Sequence, residues 1–448
     1  MNSGTFMPGV EKERAGIYFR FTSSAQSLLT DGVRGITVVP VAMKWGAAKA
    51  FTEITSQTDF LDKLGLDASD PSLLLVKEAK KKSQKVLVYR LNNGTKATAT
   101  IGTGVTATAV HPGTLGNNIR LVVQTNVLDS TKQDVTVYGG TMQADKQTVS
   151  NASQLKANKW VTFSGTGALT NTAGVSLSTG TDGTVTNQDY ADFFAAAESE
   201  YFNTIALPVA SDTELKTTFA SFVKRLRDNN GVKIVGVVAE HASDHEGIIN
   251  VTNGAVLGDG TVLTPAQTTA WVAGASAGTT MYQSLTFMEY EGAVDVAPRY
   301  DNDETIARLA KGEFMLTFNA REKTVSVEQD INSFVSFTSE KNRRFSKNKI
   351  IRILDSIQMD LIANLRAMIK ERKERGQDIP ANADGAQIVR TAVTIYLSEL
   401  QAGGALMNFD PQTDITINLT DSADGFYINV GAQPVDAAEK FYFDMEVR

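Results

Sequence analysis

Apolar and polar positions alternate at both ends of the chain. Near the start, Ile17, Phe19 and Phe21 share one face of an extended segment, with Tyr18 and Arg20 on the other. At the far end Phe441, Phe443, Met445 and Val447 line up against Tyr442, Asp444 and Glu446. Period two predicts strands with one buried face, and unpaired strands of this kind are templates for joining chains. Termini are ordinarily polar and frayed, so the pattern points to a subunit of an assembly.

Between the ends the period switches between two and 3.6. Strands are predicted over residues 35–42, 86–91, 204–209 and 232–239, the last a continuous apolar run of the kind buried on both faces. Helices are predicted over 58–64 with Thr58 as cap, from Pro71 through Ala79, over 189–202, over 212–228 with Asp212 as cap, and over 265–278 around Trp271. Strands at 313–319 and 323–328 precede the longest helix, 347–375, capped by Ser346. Its Ile350, Ile353, Leu354, Ile357, Leu361, Leu365 and Met368 form a core-facing stripe. A last helix at 386–400 gives way to strands at 414–419 and 426–430. The expected fold is an α/β (α+β) core with an inserted all-β domain and a C-terminal β element.

The insert is expected from composition. About two-fifths of residues 93–186 are Ser, Thr or Gly, charges are sparse, and short apolar runs are separated by turn signals. Over the whole chain, 448 residues with 42% hydrophobic and 21% charged content are ordinary for a globular protein of two or three domains. A net charge of -7 gives no support for nucleic-acid binding. The absence of cysteine excludes disulfides, thiolate metal sites and thiol nucleophiles. No signal peptide and no membrane-length apolar run are apparent, so synthesis in the cytoplasm and no direct membrane insertion are expected.

Candidate chemistry is thin. His241 and His245 would share a helical face beside Glu240 and Asp244, but the order does not fit a His-Glu-x-x-His zinc site, and a solvated loop after a strand is expected. His111 before Pro112 reads as a turn residue. Gly102-Thr103-Gly104-Val105-Thr106-Ala107 has dinucleotide-loop spacing, yet Thr/Val alternation follows it where a helix N-terminus is required. No Gly-Lys dipeptide occurs, which excludes a Walker loop, and there is no Gly-x-Ser-x-Gly elbow. Trp271 among small residues reads as a core aromatic. The basic runs at 80–85, 343–349 and 370–375 suit helix ends and loops. Lys370, Arg372, Lys373 and Arg375 are the best of them as an electrostatic contact. No catalytic residue, metal or cofactor is expected.

With these elements placed, the chain resembles the contractile tail sheath proteins of myophage-like particles, in particular those of Gram-positive prophages and bacteriocins. Met7-Pro8-Gly9-Val10 before an aromatic strand resembles the family's Pro-Gly-Val arm, although Glu11-Lys12-Glu13-Arg14 lengthen it. Asp31-Gly32-Val33-Arg34-Gly35-Ile36 resembles the entry to its first core strand, and Phe60-Leu61-Asp62-Lys63-Leu64-Gly65 the helix after it. Residues 271–278 are similar to its Trp-x-x-Gly-x-x-Ala-Gly stretch, and Lys349-Ile350-Ile351-Arg352-Ile353-Leu354-Asp355 to its long C-terminal helix.

The resemblance implies an arm at 1–22, a core at 23–92 and 187–345, an insert at 93–186, a C-terminal domain at 346–432 and an arm at 433–448. It implies a polymer of six-membered rings around an inner tube, with a tube protein, baseplate and tail terminator as further partners. Terminal strands would join a neighbour's small sheet through Ile17, Tyr18, Phe19, Phe21, Ile415, Ile417, Phe426, Ile428, Val430, Phe441, Phe443, Met445 and Val447. Without a nucleotide site, contraction would draw on a metastable assembly, and the cations at 370–375 are candidates for the tube contact. Three rivals stay open on residues alone: a glycan-binding adhesin, suggested by the insert, a cytosolic α/β enzyme, suggested by the core, and, closer than either, another viral structural protein such as a capsid subunit.

Overall fold

In the computed structural model the described residues are 34–447, together with the backbone of residues 2–4 and 16–18. The chain divides into two compact units, one of residues 34–353 and 436–448, the other of residues 1–33 and 354–435. The first is built on a seven-stranded sheet whose strands are β1 (Ile36–Val41), β2 (Phe51–Ile54), β3 (Lys85–Arg90), β4 (Thr204–Leu207), β5 (Val235–Ala239), β6 (Ile248–Val251) and β7 (Glu313–Phe314). Their order is β7-β6-β5-β4-β1-β3-β2, parallel except for the edge strand β2, which runs antiparallel to β3. Every residue of β1, β4 and β6 is buried, as expected of a parallel sheet covered on both faces.

One face is covered by a helix of small residues, Pro265–Gly278, with the bounds expected from the sequence. Thr264 and Gln267 close it with a capping box. Its glycines let it touch the Leu74–Lys80 helix and the turn after it: a Cβ on Gly274 would lie 2.2 Å from the Ala79 carbonyl, and one on Gly278 2.0 Å from that of Lys82. Trp271 is fully buried and stacked on Tyr290 at 4.1 Å. The Tyr290 hydroxyl donates to buried Glu78 at 2.6 Å, and Lys81 pairs with that carboxylate at 2.7 Å. The other face carries a Phe-rich cluster, in which Phe193 and Phe194 of the Asn187–Ala197 helix meet Phe219 and Phe222 of the Thr213–Lys224 helix. Asp212 caps the latter as expected, accepting from the Leu215 N–H at 2.8 Å.

Residues 98–176 contain strands in two sheets, one of four (Met142–Val149, Gln133–Gly139, Ile119–Thr125, Thr172–Ser176) and one of three (Val161–Ser164, Val105–Ala109, Thr98–Gly102). Their entry and exit are tied at buried polar groups. Asn92 accepts from the Met43 N–H and donates to the Met43 and Asp182 carbonyls, while Arg90 donates to the Gly46 and Pro112 carbonyls at 2.7 and 2.8 Å. Burial pushes the Arg90 guanidinium down to about 10.

Four local expectations are corrected. Thr58 is no cap: Asp59, one residue inside the helix, accepts from the Thr55 and Ser56 N–H groups, which holds its carboxyl far below the usual range. Ser346 does not cap the long helix, because its hydroxyl donates back to the Arg343 carbonyl; the helix spans Asn348–Glu374. The strand expected at 313–319 breaks at Met315, giving β7 to the central sheet and Leu316–Asn319 to a separate hairpin with Thr324–Val327. Residues 441–447 form no strand; a strand needs a ladder partner for its N–H and C=O groups, and none lies beside them among the described residues.

Candidate assembly surface

The second unit contains most of the long helix, the helix Ala383–Ala402 and a two-stranded hairpin, Ile415–Leu419 with Phe426–Val430. Asn382 caps the second helix through the Asp384 and Gly385 N–H groups. Tyr396 donates to buried Asp360 across the helix pair at 2.7 Å. Only part of the expected stripe is deeply buried: Ile350, Ile353 and Ile357 are, while Leu354, Leu361, Leu365 and Met368 are half-buried, and Ile362 and Ile369 are exposed.

The hairpin register pairs Ile415 with Val430, Ile417 with Ile428 and Leu419 with Phe426. On this face Ile415 is buried, Ile417, Phe426, Ile428 and Val430 are half-buried, and Leu419 is exposed. What remains open is backbone. Among the described residues no third strand pairs with either edge, and a lone hairpin is marginal without further strands or a helix beneath it.

The tail is exposed as well. Phe441, Phe443, Met445 and Val447 are 70–96% exposed, an unusual fate for four large apolar side chains in seven residues. Of the residues expected in the N-terminal strand, Ile17 and Tyr18 lie in a short strand, Gly16–Tyr18, paired in parallel with Asn2–Gly4; Phe19 and Phe21 lie outside the described residues. The basic helix end is largely self-neutralised. Lys370 lies 3.9 Å from Glu374, Lys373 lies 3.9 Å from Asp378, and Arg375 pairs with Glu371. Such exposed pairs contribute little, and they reduce the net positive charge available to a partner.

The histidines do not build a metal centre. Residues 241–245 form no helix, and His245 and Glu246 are buried, contrary to the expectation of a solvated loop. His245, Asp228 and Glu246 do cluster, but the Gly247 N–H donates to His245 Nδ1 at 3.0 Å, leaving Nε2 to donate to Asp228 at 3.2 Å. A metal-bound imidazole donates from its second nitrogen; here that nitrogen accepts. Burial pushes His245 below its ordinary range against the pull of Glu246 and Asp228. Glu246 instead holds Lys341, and Asp244 accepts from the Val335 and Ser336 N–H groups, so the loop braces the 333–341 segment.

Comparison with known proteins identifies the chain's family. Residues 34–91 match the N-terminal region of tail sheath protein Gp18 domain III, 92–182 the phage tail sheath protein beta-sandwich domain, 183–333 the central domain and 340–448 the C-terminal domain. The phage-like element PBSX protein XkdK of Bacillus subtilis (strain 168) is 54% identical over 465 residues, all of both chains. This chain belongs to the phage tail sheath family. The sheath tail protein Lin1278 from Listeria innocua, a crystal structure, is 51% identical with a TM-score of 0.84 over 93% of this chain and 95% of that one. The contracted helical sheath of the anti-feeding prophage shares the fold, with a TM-score of 0.56 at 12% identity, over 97% and 99% of the two chains. The protein is the tail sheath protein of a contractile phage-like system, a structural component and not an enzyme. No helix of the described residues is long and apolar enough to cross a membrane.

Proposed function

We propose that this sheath protein polymerises around an inner tube by lending its terminal segments to neighbouring copies, and that contraction of the polymer drives the tube through a cell envelope. The observation that supports this reading is that the chain carries both an exposed apolar tail and, among its described residues, unpaired hairpin edges. Burying Phe441, Phe443, Met445 and Val447 is worth roughly 6–12 kcal/mol at most, while ordering seven residues costs roughly 7–14 kcal/mol. A single arm therefore binds at near zero net free energy, and free subunits stay dissolved. Within a ring, both arms act at high effective concentration, and the mesh becomes strong. The relaxation of a metastable extended lattice to one with more contact supplies the force, with no nucleotide.

Assembly would take place in the host cytoplasm, as stacked six-membered rings that engage the tube protein, the baseplate and a terminator. Lys370, Arg372, Lys373 and Arg375 are the proposed tube contact, though their own acids dilute it. The test is deletion of residues 441–448. The shortened protein should fold with an unchanged thermal midpoint and yield no striated cylinders in electron micrographs; cylinders as abundant as those of the full chain would overturn the reading.

A further inference from the structure

The long helix starts against the rules of helix electrostatics. Lys347 and Lys349 flank its first residue, where the helix dipole presents its positive pole, and no acid lies in the first turn. The missing negative charge arrives from the strap that leads into the tail, residues 436–440. Glu439, with its side chain 10% exposed, pairs with Lys347 through one oxygen and accepts from the Thr286 hydroxyl at 2.7 Å through the other. Burial pushes the Lys349 ammonium below its ordinary range, with Asp436 of the strap pulling the other way.

The contact continues inward without a break. Thr286 Oγ1 accepts from the Asp330 N–H at 2.9 Å. Asp330, 1% exposed, accepts from Asn348 Nδ2 at 2.9 Å, from the Leu285 N–H at 3.0 Å and from Arg352 at 3.4 Å. Arg352 in turn donates to the Gln283 carbonyl at 2.7 Å. The root of the tail is thus wired to the first turns of the long helix by a continuous network of hydrogen-bonded and charged side chains, with Asp330 and Arg352 buried at its centre. Beyond Lys440 the chain is exposed.

We propose that Glu439 is the fixed anchor of the C-terminal tail, and that a neighbour holding the tail pulls through Glu439 on the start of the long helix. The mechanical half rests on the reading that the tail docks into a neighbouring copy; the anchor itself does not. The chain has no cysteine, so spin labels at Ala310→Cys and Ala438→Cys report only those two exposed sites. In the isolated protein the distance distribution should be narrow. It should broaden in Glu439→Gln and in Lys347→Met, and narrow again in the swap Lys347→Glu with Glu439→Lys. An unchanged distribution in both single variants overturns the anchor. Glu439→Gln sheaths, whose tail aromatics are intact, should still assemble on tubes but stall part-contracted after a denaturant pulse that fully contracts the parent. Full contraction despite a released strap overturns the mechanical role. Failure of the docking reading shows separately, as polymers formed without residues 441–448.

Discussion

The central sheet and the C-terminal hairpin with its tail treat the same kinds of side chain in opposite ways. In the sheet, Val38, Ile205 and Val237 are sealed on both faces, and even the hydroxyls of Thr37 and Thr204 are paired with each other and with Ser83 and the Ala273 carbonyl. In the hairpin one apolar face is half-covered, both edges are open among the described residues, and Phe443 in the tail is 84% exposed. The first region is finished within one chain. The second leaves the hairpin edges and the tail without partners among the described residues, and the difference teaches where to measure each: on the proposed reading, substitutions in the sheet report on folding, and those in the tail on assembly.

The comparison breaks if that division fails. Trp271→Ala, which empties the space beside Tyr290, should cost about 3–5 kcal/mol of folding stability in a denaturant titration. Phe443→Ala should leave that titration unchanged within about 0.5 kcal/mol and raise the critical concentration for polymer formation about ten- to hundredfold, from the loss of one buried Phe. A destabilised Phe443→Ala monomer would mean that the tail packs on its own molecule. Acid sharpens the contrast, because all three histidines belong to the unit of the central sheet, and burial holds each below its ordinary value. The folded state then binds fewer protons than the unfolded one, so stability is lost as pH falls below about 6.5. The thermal midpoint of that unit should drop by a few degrees between pH 7.5 and 5.5, with less drop in His245→Gln. The smallest effect is expected from Lys373→Glu, which should leave folding unchanged and only weaken attachment to tubes; normal extended sheaths would remove the helix end from the tube contact.

Much of the fold was legible because its strongest signals are local. The bounds of the Pro265–Gly278 helix follow from Pro at its first position and small residues throughout, and Asp212 announces its helix. The strand β2 (Phe51–Ile54) went unseen because a four-residue edge strand carries little period, and its place is set by pairing with β3. Burial of His245 depends on the Gly247 N–H and Asp228, contacts made by the folded chain and invisible in spacing. The anchor had a sequence signal, lysines on both sides of a helix start with no acid in its first turn, but the compensating Glu439 is 92 residues away from Lys347. Alternation at 441–447 was readable as an apolar stripe, and no ladder partner for it lies among the described residues.

Docking between copies is tested most directly by single-cysteine cross-linking in this cysteine-free background. Sheaths are co-assembled from Tyr442→Cys and Tyr427→Cys subunits, both placing their thiols on the face away from the apolar stripe, and then oxidised. Covalent dimers joining one subunit of each kind are predicted in the polymer and not in dilute subunits. Polymers that form normally yet give no mixed dimers, or a doubly substituted subunit that closes the bond within its own chain at high dilution, would contradict the account.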